Sequence, residues 1–423
     1  MKEFQELGTL IENRWRAENY SEQQFPEIAA QAFAEAELPS KVDPWDIIRW
    51  VHTAVTLPEQ KDIPGRFGNP PITLFSGPRF YIDVYYWLDG TTSLHQHAFT
   101  GAFQVLLGSS IHSQYNFRED RILNEHFSVG ELDLKTVDLL KVNDIKLIMP
   151  GRQYIHSLFH LDRPSATITI RTEHTPSSAL QYDYRKPYFA INPFYQNVAM
   201  IKKIQTITLL LGMKHKDADS MIGDLIASAD FHTTFFILLE AAVHLRNNQM
   251  DDLFGLSTGM DRFNGLLERA RAAHGDLVDK FVAVLEEQDR QMNIIGKRNT
   301  ITGEEHRFFL ALILNITSRD KILDLVRQRF PESDPVEKIL DWVEELGQTR
   351  VLGSKEPNAL GIEGFSDLHV LELERQLKRK SATTVGGLKA KGLGKPGAEN
   401  GDQASELASD LRTSLMFKFL INT

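Results

Sequence analysis

Phe80-Tyr81-Ile82-Asp83-Val84-Tyr85-Tyr86-Trp87, followed by the turn Asp89-Gly90 and then by Ser93-Leu94-His95-Gln96-His97, decides how this chain folds. The first eight residues are β-branched or aromatic almost throughout, and such a run bounded by Asp-Gly predicts a strand entering a hairpin. On an extended backbone, residues i and i+2 point to the same face. His95 and His97 therefore present two imidazoles side by side, the spacing a single metal ion needs from one strand. Further strand-like runs follow at Phe103–Leu107, Ile111–Phe117, Thr136–Leu140, Lys146–Met149, Ile155–Phe159 and Thr167–Arg171. Short strands at about ten-residue spacing, parted by Gly, Asn, Asp and Pro, predict an antiparallel sandwich or barrel.

Outward from this centre the period changes on both sides. Before it, Phe4, Leu7, Ile11 and Trp15 share one helical face, as do Phe25, Ile28, Ala32 and Phe33. A third helix is expected from Pro44, a residue suited to a first helical position, to the stop at Pro58. Five prolines within residues 58–78 then mark a loop. After Pro193, eight segments between Val198 and Leu346 carry 3.6-residue spacing, with Thr302-Gly303-Glu304 and Thr317-Ser318-Arg319 as expected N-terminal caps. Lys378–Ala398 holds six basic residues, five glycines and no acid, the composition of a solvated tether. Leu407, Leu411, Leu415 and Phe419 then mark a terminal amphipathic helix that docks on its own chain or on a second copy. The expected fold class is α+β and multidomain. A helical segment and loop (1–78) precede a small antiparallel β-barrel (79–194). An all-α domain (195–380), a basic Gly-rich linker (381–401) and the terminal helix (402–423) follow.

Composition narrows the function. The 423 residues carry 47 Lys+Arg against 57 Asp+Glu, a formal net charge of −10, and 42% of them are hydrophobic. An acidic chain of this kind is a poor general binder of phosphate backbones, so a nucleic-acid partner is not expected. No apolar run reaches the roughly 18–20 residues that span a bilayer, and residues 1–6 lack a secretory pattern, which makes the expected location cytoplasmic. The absence of cysteine excludes disulfides, thiolate metal sites and cysteine nucleophiles together. Patterns for a zincin, an α/β-hydrolase, a P-loop or a dinucleotide fingerprint are all missing.

The stretch Gly90–Gly108 around His95 and His97, with Asp144, Pro150-Gly151 and His156 further on, resembles the two conserved motifs of the cupins over residues 79–171. The resemblance implies a metal held by His95, His97 and His156. Two departures stand out. Gly101 occupies the place of the usual Glu ligand, and the gap before His95 is four residues where five are usual. A three-His site without Glu is similar to that of the thiol dioxygenases, such as cysteine dioxygenase. Their Ser-His-Tyr triad is not matched at Thr169, Ile170, Arg171 and Glu173. Three neutral imidazoles suit Fe(II) first, with Zn, Mn or Ni as alternatives, and leave positions open for a small-molecule substrate and O2. The candidates for the remaining chemistry are Arg79 and Arg171, as clamps for a substrate carboxylate, Gln104 as a pocket residue and His160 as an outer partner of His156. His112, His126 and His174 read as surface or hydrogen-bonded residues. The expected function is a non-haem iron dioxygenase or oxygenase acting on a small, anionic molecule. The alternative is a ligand-sensing, non-catalytic cupin module. A 2-oxoglutarate enzyme would need an acid where His97 stands.

Overall fold

A computed structural model describes the chain except for residues 66, 89, 174–179, 247–257, 299, 351–355, 379–406, 408, 410, 412, 413, 415, 422 and 423. The expectations for Asp89, His174, the linker 381–401 and part of the terminal segment lie outside the described residues. Among the described residues eleven strands form two antiparallel sheets. The five-stranded sheet contains β1 (Pro71–Ser76), β2 (Phe80–Trp87), β4 (Gly101–Leu107), β7 (Ile145–Ile148) and β9 (Ser165–Thr172), in the order β1-β2-β9-β4-β7. The six-stranded sheet contains β3 (Gly90–Thr91), β5 (Ser110–Asn124), β6 (Phe127–Leu140), β8 (Ile155–His160), β10 (Asp183–Arg185) and β11 (Phe189–Ile191), in the order β10-β11-β6-β5-β8-β3. The expected closed barrel is not formed. Among the described residues no hydrogen-bonded strand pair joins the two sheets, so the architecture is an open sandwich.

The outer faces of both sheets are covered by helices, and β2 is buried along its whole length. Phe80, Ile82, Val84 and Tyr86 pack with Ile168 and Ile170 against α1 (Lys2–Ala17) and α2 (Phe25–Ala36) through Phe4, Ile11, Trp15 and Phe25. The alternate residues Tyr81, Asp83, Tyr85 and Trp87 face the space between the sheets. The six-stranded sheet is covered by the C-terminal helices. Phe127, Val129, Phe189 and Ile191 share a core with Ile222, Phe235, Phe263 and Phe281. Ile111, Phe159 and Leu161 share another with Ile294, Phe309, Trp342 and the terminal Leu411, Phe417 and Leu420. The terminal segment thus docks on its own chain.

Two local expectations need correction. β5 and β6 form one long hairpin, where the sequence suggests two short strands. Its outer half carries Arg118, Glu119, Asp120 and Arg121, charged residues on a half-exposed strand that leave no apolar alternation to read. The helices Glu304–Asn315 and Arg319–Arg329 start where the cap motifs place them. Their N-caps, Gly303 and Ser318, make no side-chain cap bond.

Candidate metal centre

His156 lies on β8. The segment between β3 and β4 runs beside it as a single extended rung, with His95 N–H donating to His156 O (3.0 Å) and His156 N–H donating to His95 O (2.9 Å). The next link is Gly151 N–H to His97 O at 2.7 Å. This rung puts His95 and His97 on the inner side. Gln96 points away, where Tyr184 Oη donates to Gln96 Oε1 (2.5 Å) and Gln96 Nε2 donates to Leu180 O (2.7 Å). The result is a cluster of three buried imidazoles with one ring nitrogen from each within 4.8 Å of the others. His97 Nε2 and His156 Nε2 are 2.8 Å apart, close to the roughly 3 Å expected of two nitrogens bound to one ion at about 2.1 Å. His95 Nδ1 is 2.7 Å from Ser93 O, a contact that requires its proton on Nδ1 and leaves Nε2 as a lone pair.

Burial pushes the pKa of all three histidines below the ordinary imidazole value, His97 and His156 furthest. They are therefore neutral at pH 7, with lone pairs free. A neutral three-nitrogen set fits a borderline divalent ion such as Fe(II), Zn(II) or Ni(II).

The cluster forms one wall of a cavity of about 450 Å³ between the sheets. Phe67, Trp87, Phe99 and Phe103 give it aromatic walls. The polar side chains on the facing sheet include Arg171 and Asp83. Arg171, on β9, lies with its guanidinium carbon 3.2 Å from the centre of the Phe99 ring and 5.2 Å from that of Tyr81. It makes no ion pair among the described residues. Asp83 accepts a hydrogen bond from Tyr85 Oη (2.9 Å), and its other oxygen has no partner among the described residues. Burial raises the pKa of Asp83 above the ordinary carboxylate value and that of Tyr85 well above the ordinary phenol value.

Of the four other candidates, only Arg171 lies in the cavity. Arg79 is exposed on the outer side, its guanidinium stacked on Tyr20 at 4.0 Å. Gln104 shares the strand face of Ala102, which packs against the N-terminal helices, so strand alternation turns it away from the histidines. His160 lies four residues along β8 from His156. It is held by Ser110 Oγ (3.1 Å) and Ser165 Oγ (2.8 Å) and stacks on Trp87 at 4.5 Å, and burial lowers its pKa to about 3. Of the two alternatives for His112, surface or hydrogen-bonded, the second holds: the residue is fully buried and touches His156 from behind. No sequence signal marks it, because the contact crosses from β5 to β8.

Gly101 also differs from its expected role as a vacated ligand position. A Cβ there would lie 1.9 Å from Ile170 O, so the residue is glycine because β4 and β9 approach too closely for any side chain. Gly101→Ala is expected to lower the denaturant midpoint of the protein by the equivalent of about 2 kcal/mol or more, through forced separation of the two strands. An unchanged midpoint in urea unfolding would show that the strands have room.

No family model and no curated protein matches the chain. Among solved structures, part of it is similar to hydroquinone 1,2-dioxygenase from Sphingomonas sp. TTNP3, crystallised with 4-hydroxybenzoate, at 11% identity over 26% of this chain and 68% of that one, TM-score 0.20. Another is an uncharacterized conserved protein with a double-stranded beta-helix domain from Klebsiella pneumoniae subsp. pneumoniae MGH 78578 (16% identity, 27% and 84% covered, TM-score 0.18). A third is the capsular polysaccharide assembling protein CapF from Staphylococcus aureus (16% identity, 29% of each chain, TM-score 0.18). Likenesses this low carry no weight for the chemistry of the site.

Proposed function

We propose that this protein is a metal-dependent, cupin-like enzyme, a non-haem Fe(II) oxygenase that acts on a small anionic molecule. One observation carries the reading: three neutral, buried imidazoles converge beside a cavity whose only arginine has no acid partner among the described residues. His95, His97 and His156 would hold the ion through their inward nitrogens. Bound there, Fe(II) would supply the O2 chemistry, which no side chain of this cysteine-free cavity offers. The chain's own residues do the rest. Arg171 binds and orients a carboxylate, the aromatic walls exclude water, and Asp83, its pKa raised by burial, accepts the Tyr85 hydroxyl's hydrogen bond at the cavity wall. Thiol dioxygenation is the less supported version. Thr169 and Arg171 line the cavity and Ile170 faces the N-terminal helices, so that family's hydroxyl–imidazole–phenol triad has no counterpart at these three positions.

Metal analysis of the purified protein together with an oxygen electrode tests this. The expected result is close to one iron per chain and O2 uptake that depends on an added small carboxylate. Zn or Mn with O2-independent turnover would move the protein to a hydrolase or isomerase. Failure to bind any divalent metal would leave the ligand-sensing module as its function.

A further inference from the structure

β5 lies between β6 and β8, and the strand register puts His112 directly opposite Leu158 on one side and Asp138 on the other. His112 Nε2 is 3.2 Å from His156 Nδ1 and 2.9 Å from the hydroxyl of Tyr154. On its far side, His112 Nδ1 stands 3.8 Å from Asp138 Oδ2, and Lys146 Nζ donates to that same oxygen at 2.7 Å. The series runs from the fully buried His112 to Asp138 and Lys146, which are 39% and 28% exposed, and Lys146 belongs to the opposite sheet. His112 first, and then Lys146, hold the Asp138 carboxyl well below the usual carboxylate range, so it is an anion.

Proton accounting gives this series a direction. A neutral imidazole carries one N–H. If His156 uses Nε2 toward a metal, its proton is on Nδ1 and points at the lone pair of His112 Nε2, which also accepts from the Tyr154 hydroxyl. His112 must then carry its own proton on Nδ1, which faces Asp138. The gap of 3.8 Å is longer than a hydrogen bond, and a shift of about 1 Å by the half-exposed Asp138 side chain closes it. His95 has its equivalent in the Ser93 carbonyl. Ligating histidines commonly pass their second N–H to a carboxylate or carbonyl, which fixes the ring and raises its basicity. Here a second histidine is interposed, because the cross-strand register leaves Asp138 opposite His112 rather than His156.

We propose that His112 and Asp138 are positioning residues that act in series to fix His156 as an Nε2 donor, linking the metal centre to the sheet surface. The inference rests on the metal reading above. Co(II) is the probe, because its visible absorption reports the ligand geometry directly. Titration of the full chain should show Asp138→Asn and His112→Gln binding Co(II) about 10–100-fold more weakly than the parent, with shifted visible bands. The double variant should be no weaker than His112→Gln alone, as expected for residues in one series. Asp138→Glu should recover affinity that Asp138→Ala loses. The metal-free unfolding midpoint of Asp138→Asn should match the parent, which separates positioning from folding. Parental Co(II) affinity and spectrum in both single variants would overturn the relay and leave the metal site standing, as would additive losses in the double variant. A parent that binds no Co(II) would remove the metal reading and the relay with it.

Discussion

Replacing His97 with alanine is expected to abolish stoichiometric metal binding while leaving the chain folded. Among the described residues three ring nitrogens make up the whole cluster, so this substitution leaves two. Loss of an outer hydrogen-bond partner costs about 10–100-fold in affinity, and loss of one of three direct donors should cost more. The effect shows in stability as well as in metal content. A ligand present at about 100 times its dissociation constant stabilises the folded state by about 2.7 kcal/mol, so added metal should raise the parent's melting temperature and leave that of His97→Ala unchanged. His160→Ala is the informative control. His160 is buried on the same strand face as His156, yet its partners are Ser110, Ser165 and Trp87. It should therefore keep its metal, although it loses stability through the gap beside the indole. Metal retained by His97→Ala and lost by His160→Ala would place the centre at the wrong end of β8.

The contrast between these two histidines shows what the sequence makes legible. His95 and His97 are two residues apart, and the pleat of an extended backbone is enough to place them together. His156 required only that a second strand carry an inward histidine after the Pro150-Gly151 turn, and the backbone rung between His95 and His156 supplies that pairing. His112 was beyond reach, because its role depends on which strand lies beside β8, and β5 is separated from it in sequence by the whole of β6 and β7. The two arginines divide for a similar reason. Arg79 and Arg171 look alike as strand-end cations, but Arg171 pairs with Tyr81 in register and shares its inward face, whereas Arg79 precedes the strand and stacks outside on Tyr20. Gln104 was readable in principle, since it is one residue from the inward Phe103. The closed barrel failed at long range: whether two sheets seal edge to edge depends on shear and on the helices packed outside, neither of which leaves a local pattern.

Arg171→Met should weaken binding of small carboxylates by about 10–100-fold. A hydrogen bond to a charged group contributes about 1.5–3 kcal/mol, and 1.4 kcal/mol is tenfold in affinity. Methionine keeps the length and apolar bulk that rest on Phe99, so the cavity should hold its shape and the loss should report the charge. Arg171→Lys retains that charge without the planar fork, and should fall between the parent and Arg171→Met. The metal should respond in the opposite sense. Arg171 lies close enough to oppose protonation of His95 and His97, and the same positive field opposes a divalent cation. Removing it should leave Co(II) affinity equal to the parent's or higher. Weaker carboxylate binding alongside undiminished metal binding is a pair of outcomes that general disruption of the cavity cannot produce, because disruption would weaken both. If calorimetry shows carboxylates binding to Arg171→Met as tightly as to the parent, the anion is held elsewhere, and the substrate need not be an anion at all.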